Sequence, residues 1–159
     1  MKHLWAPWRI KFIQRAARDE KCIFCNALEK TDGVENLIVF RGQRIFVILN
    51  RYPYTSGHVM VVPINHRATY ADLDQTDRAE LMEGINTATK VIGEVYHADG
   101  FNVGANLGSA AGAGVTGHVH FHVVPRWGGD ANYMSTVGEV RVIPESLEDT
   151  YRRLKENWR

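Results

Sequence analysis

The stretch Gly117-His118-Val119-His120-Phe121-His122-Val123-Val124-Pro125 alternates imidazole with apolar side chains. Alternation with a period of two is the mark of a β-strand, because successive side chains on a strand point to opposite faces. The pattern predicts a strand from His118 to Val124, with His118, His120 and His122 on one face. Val119, Phe121 and Val123 fall on the other. Side chains two residues apart along a strand are separated by about 6.5–7 Å, so the prediction is a row of three imidazoles backed by an apolar surface.

Other segments supply a sheet for this strand and a cover for the sheet. Leu37 to Arg41 and Arg44 to Leu49 read as two strands with Gly42-Gln43 at their turn. Gly57 to Ile64 reads as a third, and its run Val59-Met60-Val61-Val62 suits a strand covered on both faces. Phe101 to Leu107 makes a fourth. From Leu73 to Tyr96 the period becomes helical: Leu81, Ile85, Ala88, Ile92 and Val95 share one stripe, with Asp74 or Thr76 able to cap the start. Glu145 to Trp158 reads as a C-terminal helix with Pro144 at its entrance. Trp5 to Arg18 reads as a short helix with Pro7 in its first turn and Trp5, Trp8, Phe12 and Ala16 packing on the domain. The class is α+β, an antiparallel sheet of five strands with one long helix. At 159 residues without a linker or repeat, the chain is expected to be one domain, with residues 1–30 as N-terminal helix and cysteine knuckle and 145–158 as C-terminal helix.

Charge and hydropathy narrow the function. A formal net charge of +1 gives no broad electrostatic grip on nucleic acid or membrane, so an anionic ligand has to be held by a few placed groups. No apolar run reaches the roughly 18 residues of a membrane span, and Met1 to Arg9 lacks the apolar core of a secretory signal. The expected location is the cytoplasm.

Imidazole is neutral near pH 7, nucleophilic, and able to give or take a proton. A three-histidine metal site is the competing reading of the row. A zinc–nitrogen bond is about 2.0–2.1 Å, which holds two ligand atoms at most about 4 Å apart, and the outer histidines of a flat strand are too distant for that. Nucleophilic catalysis remains: His120 attacks phosphorus and holds the transferred group as a phosphoramidate, while His122 and nearby backbone amides stabilise the phosphoryl oxygens. Between Asn106 and His118 the small-sided run Leu-Gly-Ser-Ala-Ala-Gly-Ala-Gly-Val-Thr-Gly lets backbone N–H groups approach a polyphosphate. Cys22-Ile-Phe-Cys25 has the spacing of a metal knuckle. A redox pair and two free thiols are the other readings of it. His3 and His97 read as surface residues, and Trp127 either flanks a base or packs at a dimer edge, the packing reading preferred.

The His-x-His-x-His run followed by two apolar residues resembles the signature of the histidine triad (HIT) family of nucleotide hydrolases and transferases. The resemblance extends to Leu49-Asn50-Arg51-Tyr52-Pro53-Tyr54-Thr55-Ser56-Gly57-His58-Val59-Met60-Val61-Val62-Pro63, which is similar to the family's nucleoside-binding strand pair. It also covers Asn102 to Gly108, the strand before the phosphate loop. Val124 to Asn132 resembles the diadenosine tetraphosphate phosphorylase (ATP adenylyltransferase) branch. The resemblance implies a HIT-like α+β fold, usually dimeric and perhaps tetrameric in this branch, with His120 as nucleophile and His122 on the phosphate. It places Asn50 at the ribose hydroxyls, His58 beside the triad and Asn106 near the phosphate chain. Zinc-containing members use a histidine after the third strand plus the first triad histidine, which implies a structural zinc held by Cys22, Cys25, His66 and His118.

Many family members carry Gln followed by Ser or Thr shortly before the first triad histidine, where this chain has Gly114 and Val115 followed by Thr116. Backbone amides and Thr116 would then serve the phosphate, and the acceptor, phosphate or water, stays open. The expectation is a nucleotidyl transferase acting on adenine dinucleoside polyphosphates with phosphate as acceptor. A hydrolase of the same compounds or of adenosine phosphoramidates is the alternative, and a non-catalytic nucleotide-binding module is the alternative of another class.

Overall fold

The computed structural model describes residues 22–130, 133–138 and 143–158. The helix expected over Trp5 to Arg18 lies outside these residues. In chain order the elements are α1 (Ile23–Leu28), β1 (Ile38–Arg41), β2 (Ile45–Leu49), β3 (Val59–Pro63), α2 (Gln75–Tyr96), β4 (Gly100–Gly104), β5 (Phe121–Arg126), α3 (Tyr133–Thr136) and α4 (Leu147–Asn157). The five strands form one sheet in the order β1-β2-β3-β5-β4, with every neighbouring pair antiparallel. The expected α+β class is therefore the observed one.

The long helix begins where its sequence allows it to. Asp74 is the N-cap, its carboxylate accepting the Asp77 amide at 2.7 Å. Leu81, Ile85, Ala88 and Ile92 are buried along one stripe, and Val95 packs at its end. The helix ends at His97, exposed and in the left-handed conformation with φ of 50°. Gly84 lets this helix lie close on the sheet: a Cβ there would sit 3.0 Å from Val61 Cγ1 and 3.1 Å from Ile45 Cδ1. C-terminal α4 packs on α2 and β1, capped by Ser146 rather than entered at Glu145. Among the described residues, no helix is long and apolar enough to cross a membrane.

Two strands are shorter than the alternation suggested, for one reason. β5 runs from Phe121 to Arg126 rather than from His118 to Val124, and β4 from Gly100 to Gly104 rather than from Phe101 to Leu107. The ladder between β3 and β5 stops at Val61 opposite Phe121. Beyond it the backbone groups that would continue the ladder go elsewhere. The Pro63 carbonyl accepts from His118 Nε2 at 2.8 Å, the Val119 amide donates to the Arg67 carbonyl at 2.7 Å, and the His118 carbonyl accepts from His120 Nδ1 at 2.9 Å. Past Gly104, which faces His122, only Phe121 of β5 is left to pair with.

A Cβ at Gly84 has nowhere to go between helix and sheet. Gly84→Val is expected to lower stability by about 1–3 kcal/mol through overpacking, read as a drop in the urea midpoint at unchanged slope. An unchanged midpoint contradicts the close contact.

Candidate functional site

The site lies on the face of the sheet opposite α2. β2 and β3 close a hairpin whose mouth joins Asn50 to His58, the Asn50 amide donating to the His58 carbonyl at 3.0 Å. Thr55 ties the connecting loop to β5 by donating to the Pro125 carbonyl at 3.2 Å. This carries His58 to His122, which sits in the sheet between Met60 of β3 and Gly104 of β4.

Hydrogen-bond partners settle which nitrogen of each ring carries the proton, because an amide only donates and a carbonyl only accepts. The Tyr54 amide donates to His58 Nδ1 at 3.1 Å, so the His58 proton is on Nε2. That Nε2–H faces His122 Nδ1 at 3.0 Å, which puts the His122 proton on its Nε2. In His120 the order is reversed. Nδ1–H is given to the His118 carbonyl, leaving the Nε2 lone pair free. The two rings lie 5.1 Å apart between centroids, nearer than the even spacing expected of a flat strand. One ring thus offers a nucleophilic lone pair beside another that offers an N–H.

Burial keeps these rings neutral. His58 is fully buried and its pKa is pushed down to about 3, by loss of solvent first and by His122 second. His122 is pushed down to about 4 by burial and then by His120. Burial lowers His120 as well. A neutral imidazole keeps its lone pair, which protonation would remove.

The remaining expected site residues are distributed unevenly. Asn50 is half-buried with its side-chain oxygen on the Tyr52 amide at 2.9 Å. Asn106, Gly114 and Thr116 are exposed on the connection from β4 to β5. The Val115 side chain packs on the core. Trp127 is held within the chain, its Nε1–H donating to the Tyr96 carbonyl at 3.1 Å. Two site residues were not singled out from sequence. The Tyr54 ring lies 4.6 Å from that of His58 and 6.0 Å from that of His122, and Phe24 lies against His118 and His120. Both sit inside motifs whose polar members drew the attention.

The second cluster holds Cys22, Cys25, His66 and His118, whose ligand atoms all lie within 4.8 Å of one another. Cys22 Sγ is 3.3 Å from His118 Nδ1, Cys25 Sγ 3.7 Å from the same atom and 3.4 Å from His66 Nδ1. Bonds of about 2.0–2.3 Å to a tetrahedral ion give edges of roughly 3.3–3.8 Å, so the spacing suits one ion. The donors fit too. His118 gives its Nε2–H to Pro63, an outer hydrogen bond that leaves Nδ1 as the ligand. Burial and then the adjacent Cys22 push the Cys25 thiol pKa up, a cost that a cation between the thiols would reverse. His66 is placed from the β3–α2 connection, where its neighbour Asn65 donates to the buried Asp77 carboxylate at 2.9 Å. Arg44 holds the same carboxylate at 2.8 Å, and its hydrogen bond keeps the Asp77 pKa low.

Comparison with known proteins agrees with this geometry. The HIT domain family model matches residues 32–129. A Mycobacterium tuberculosis protein named AP-4-A phosphorylase is 41% identical over 165 aligned positions, covering 99% of this chain and 85% of that one. Among solved structures, a Zn-bound histidine triad family protein from Mycobacterium smegmatis superposes with a TM-score of 0.70 at 28% identity, covering 87% of this chain and 93% of its own. A hypothetical histidine triad nucleotide-binding protein from Sulfolobus tokodaii superposes at 0.69 and 28% identity, covering 86% and 91%.

The lowered histidines carry a pH consequence. Between the folded values of about 3 and about 4 and the ordinary 6.5, the unfolded chain binds more protons than the folded one. Stability therefore falls as pH drops below 6.5 and is insensitive to these groups above it. Each contributes a slope of at most about 1.4 kcal/mol per pH unit. Chemical denaturation between pH 7 and pH 5 is expected to show a steeper loss in the wild type than in His58→Gln; equal slopes contradict the neutral buried ring.

Proposed function

Since the chain belongs to the HIT domain family, we propose that it is a cytoplasmic nucleotidyl transferase that cleaves dinucleoside polyphosphates such as diadenosine tetraphosphate, with inorganic phosphate as acceptor. The observation that carries the reading is the pair of opposite tautomers, a free Nε2 lone pair on His120 beside an Nε2–H on His122.

In the first step His120 Nε2 attacks the α-phosphorus. A P–N bond forms as the P–O bond to the departing nucleoside polyphosphate breaks, with ATP leaving when the substrate is diadenosine tetraphosphate. His120 keeps its Nδ1–H on the His118 carbonyl, which stabilises the positive charge that the ring acquires on phosphorylation. The His122 Nε2–H donates to the phosphoryl oxygens, where negative charge grows. In the second step a phosphate oxygen attacks the same phosphorus, the P–N bond breaks and ADP departs. Asn50 holds the ribose hydroxyls, and Asn106 with the backbone around Gly114, Val115 and Thr116 holds the phosphate chain. The relationship to AP-4-A phosphorylase of M. tuberculosis supports phosphate as the acceptor. The Gly114-Val115 pair, where many relatives carry an amide and a hydroxyl, favours a second reading in which water attacks the same intermediate.

We also assign a structural zinc to Cys22, Cys25, His66 and His118, a reading supported by the Zn-bound M. smegmatis relative. The ion would hold the knuckle to the strand leading into β5 and take no part in the bond changes. The sheet supports a homodimer: β4 ends the strand order, with Val103 exposed on it and Leu107 exposed beyond its end.

Product analysis tests the activity. With diadenosine tetraphosphate, ADP is expected to form only when phosphate is supplied, together with ATP. AMP formed at the same rate with or without phosphate identifies the hydrolase instead. His120→Ala is expected to reduce turnover by at least about a thousandfold while nucleotide binding persists; wild-type rates in this variant exclude a covalent histidine. Metal analysis of chelator-free protein is expected to give close to one zinc per chain, and a value near zero removes the zinc assignment.

A further inference from the structure

Both constraints on the His120 ring originate in the metal-binding cluster. The first is the hydrogen bond from its Nδ1–H to the carbonyl of His118, whose own ring lies between the Pro63 carbonyl and the two cysteines. The second is Phe24. It lies between the two cysteines in sequence, on the first turn of α1, and is 1% exposed. Its ring centroid is 4.9 Å from that of His120 and 5.4 Å from that of His118, and it rests on Phe46 of β2 at 6.5 Å. One aromatic ring therefore touches a metal ligand, the ring between whose tautomers the chemistry must choose, and the sheet.

The second torsion of a histidine side chain has a broad, roughly two-fold profile, so an unconfined imidazole turns over at little cost, bringing Cδ2 and Cε1 to the places of Nδ1 and Nε2. In His120 that flip would remove the free lone pair from the position that Nε2 holds. The carbonyl opposes it through a single hydrogen bond. Phe24 packs against the ring that would have to turn, 4.9 Å away between centroids, and Cys22 and Cys25 flank it at the start of α1.

We propose that Phe24 is the positioning residue of the nucleophile, and that the Cys-Ile-Phe-Cys turn serves catalysis by pressing this ring against His120. The metal then acts on the reaction through packing, by fixing the turn from which Phe24 projects. The proposal rests on the reading of His120 as nucleophile. A misplacement of about 1 Å in a reacting group can cost on the order of a hundredfold in rate, which is the scale of the expected effect.

The test compares Phe24→Leu with Leu81→Ala in the full-length, metal-loaded protein. Leu81 is buried like Phe24 but lies on the stripe of α2, across the sheet from the site, so it controls for loss of core packing. Four quantities are read: bound metal, AMP affinity, the single-turnover rate of nucleotidyl-enzyme formation from diadenosine tetraphosphate, and the ¹⁵N signature of the His120 tautomer. For Phe24→Leu we expect full metal content, AMP affinity within about twofold, a rate lowered about ten- to hundredfold, and a mixture of tautomers at His120. Leu81→Ala is expected to lose stability yet keep its rate within about threefold and a single tautomer. Should Phe24→Leu fail to hold metal, Phe24→Met, which keeps the volume without the flat ring, is read in the same way. Equal rates and a single tautomer in both variants overturn the proposal. If the wild type forms no nucleotidyl-enzyme at all, the functional reading fails on its own, and the tautomer signature still decides the role of Phe24.

Discussion

Two backbone carbonyls, those of Pro63 and His118, accept imidazole N–H groups where a sheet would have continued its ladder. The rest of the site depends on this exchange. A strand that stayed paired through His118 would commit these carbonyls to its neighbours and leave both rings free to choose their tautomers. Ending the ladder at Phe121 gives each carbonyl to a side chain and assigns each ring a direction. His118 then turns Nδ1 to the thiols. His120 keeps Nε2 unprotonated, and the amide of Tyr54 does the corresponding work for His58 and His122 from the opposite side. Each imidazole is thus held by a group that cannot change its hydrogen-bonding sense, since a carbonyl never donates and an amide never accepts.

Neutrality follows from the same arrangement. Four imidazoles gathered under a sheet would repel one another if charged, and the chain as a whole supplies almost no compensating charge. Burial is the largest cause of the lowered pKa in His58, His118, His120 and His122 alike, and mutual repulsion adds to it in His58, His118 and His122. The cost of keeping these groups out of water is met by hydrogen bonds that neutral rings can make and charged ones cannot. His58 and His122 need an acceptor nitrogen on each ring, which protonation would abolish.

The parts of the structure legible in sequence were those written as periodicity. The stripe of α2, the apolar β3 and the capping Asp74 each report a local preference, and the structure keeps them. The metal cluster was legible through resemblance, since nothing in the spacing of Cys22 and Cys25 points to His66 or His118. The extent of β4 and β5 was not legible. Alternation marks which way side chains point, but it carries no information on whether a neighbouring strand is present to accept the hydrogen bonds. The residues between His118 and His120 keep the alternating order while their backbone partners are side chains and the 64–69 connection. Phe24 and Tyr54 escaped for a related reason. An aromatic residue next to a polar motif reads as core, and only coordinates show which ring it confines.

The three histidines of the row show how little of a residue's role resides in its identity. Each is an imidazole on an extended segment, two residues from the next, and each carries its proton where its fixed partner dictates. A carbonyl at Nε2 leaves His118 with Nδ1 turned to the thiols. The next carbonyl, taken at Nδ1 instead, leaves His120 with a lone pair at Nε2; a ring N–H arriving at Nδ1 makes His122 a donor at the same position. The order of these roles along the chain is set by what lies at the edges. The β3–α2 connection and the cysteine turn meet the first histidine, and the hairpin mouth with His58 meets the last. The middle ring touches both neighbourhoods, through Phe24 on one side and His122 on the other. That position suits the role proposed for His120: only the central imidazole is packed from the cysteine turn on one side and faces a ring N–H on the other.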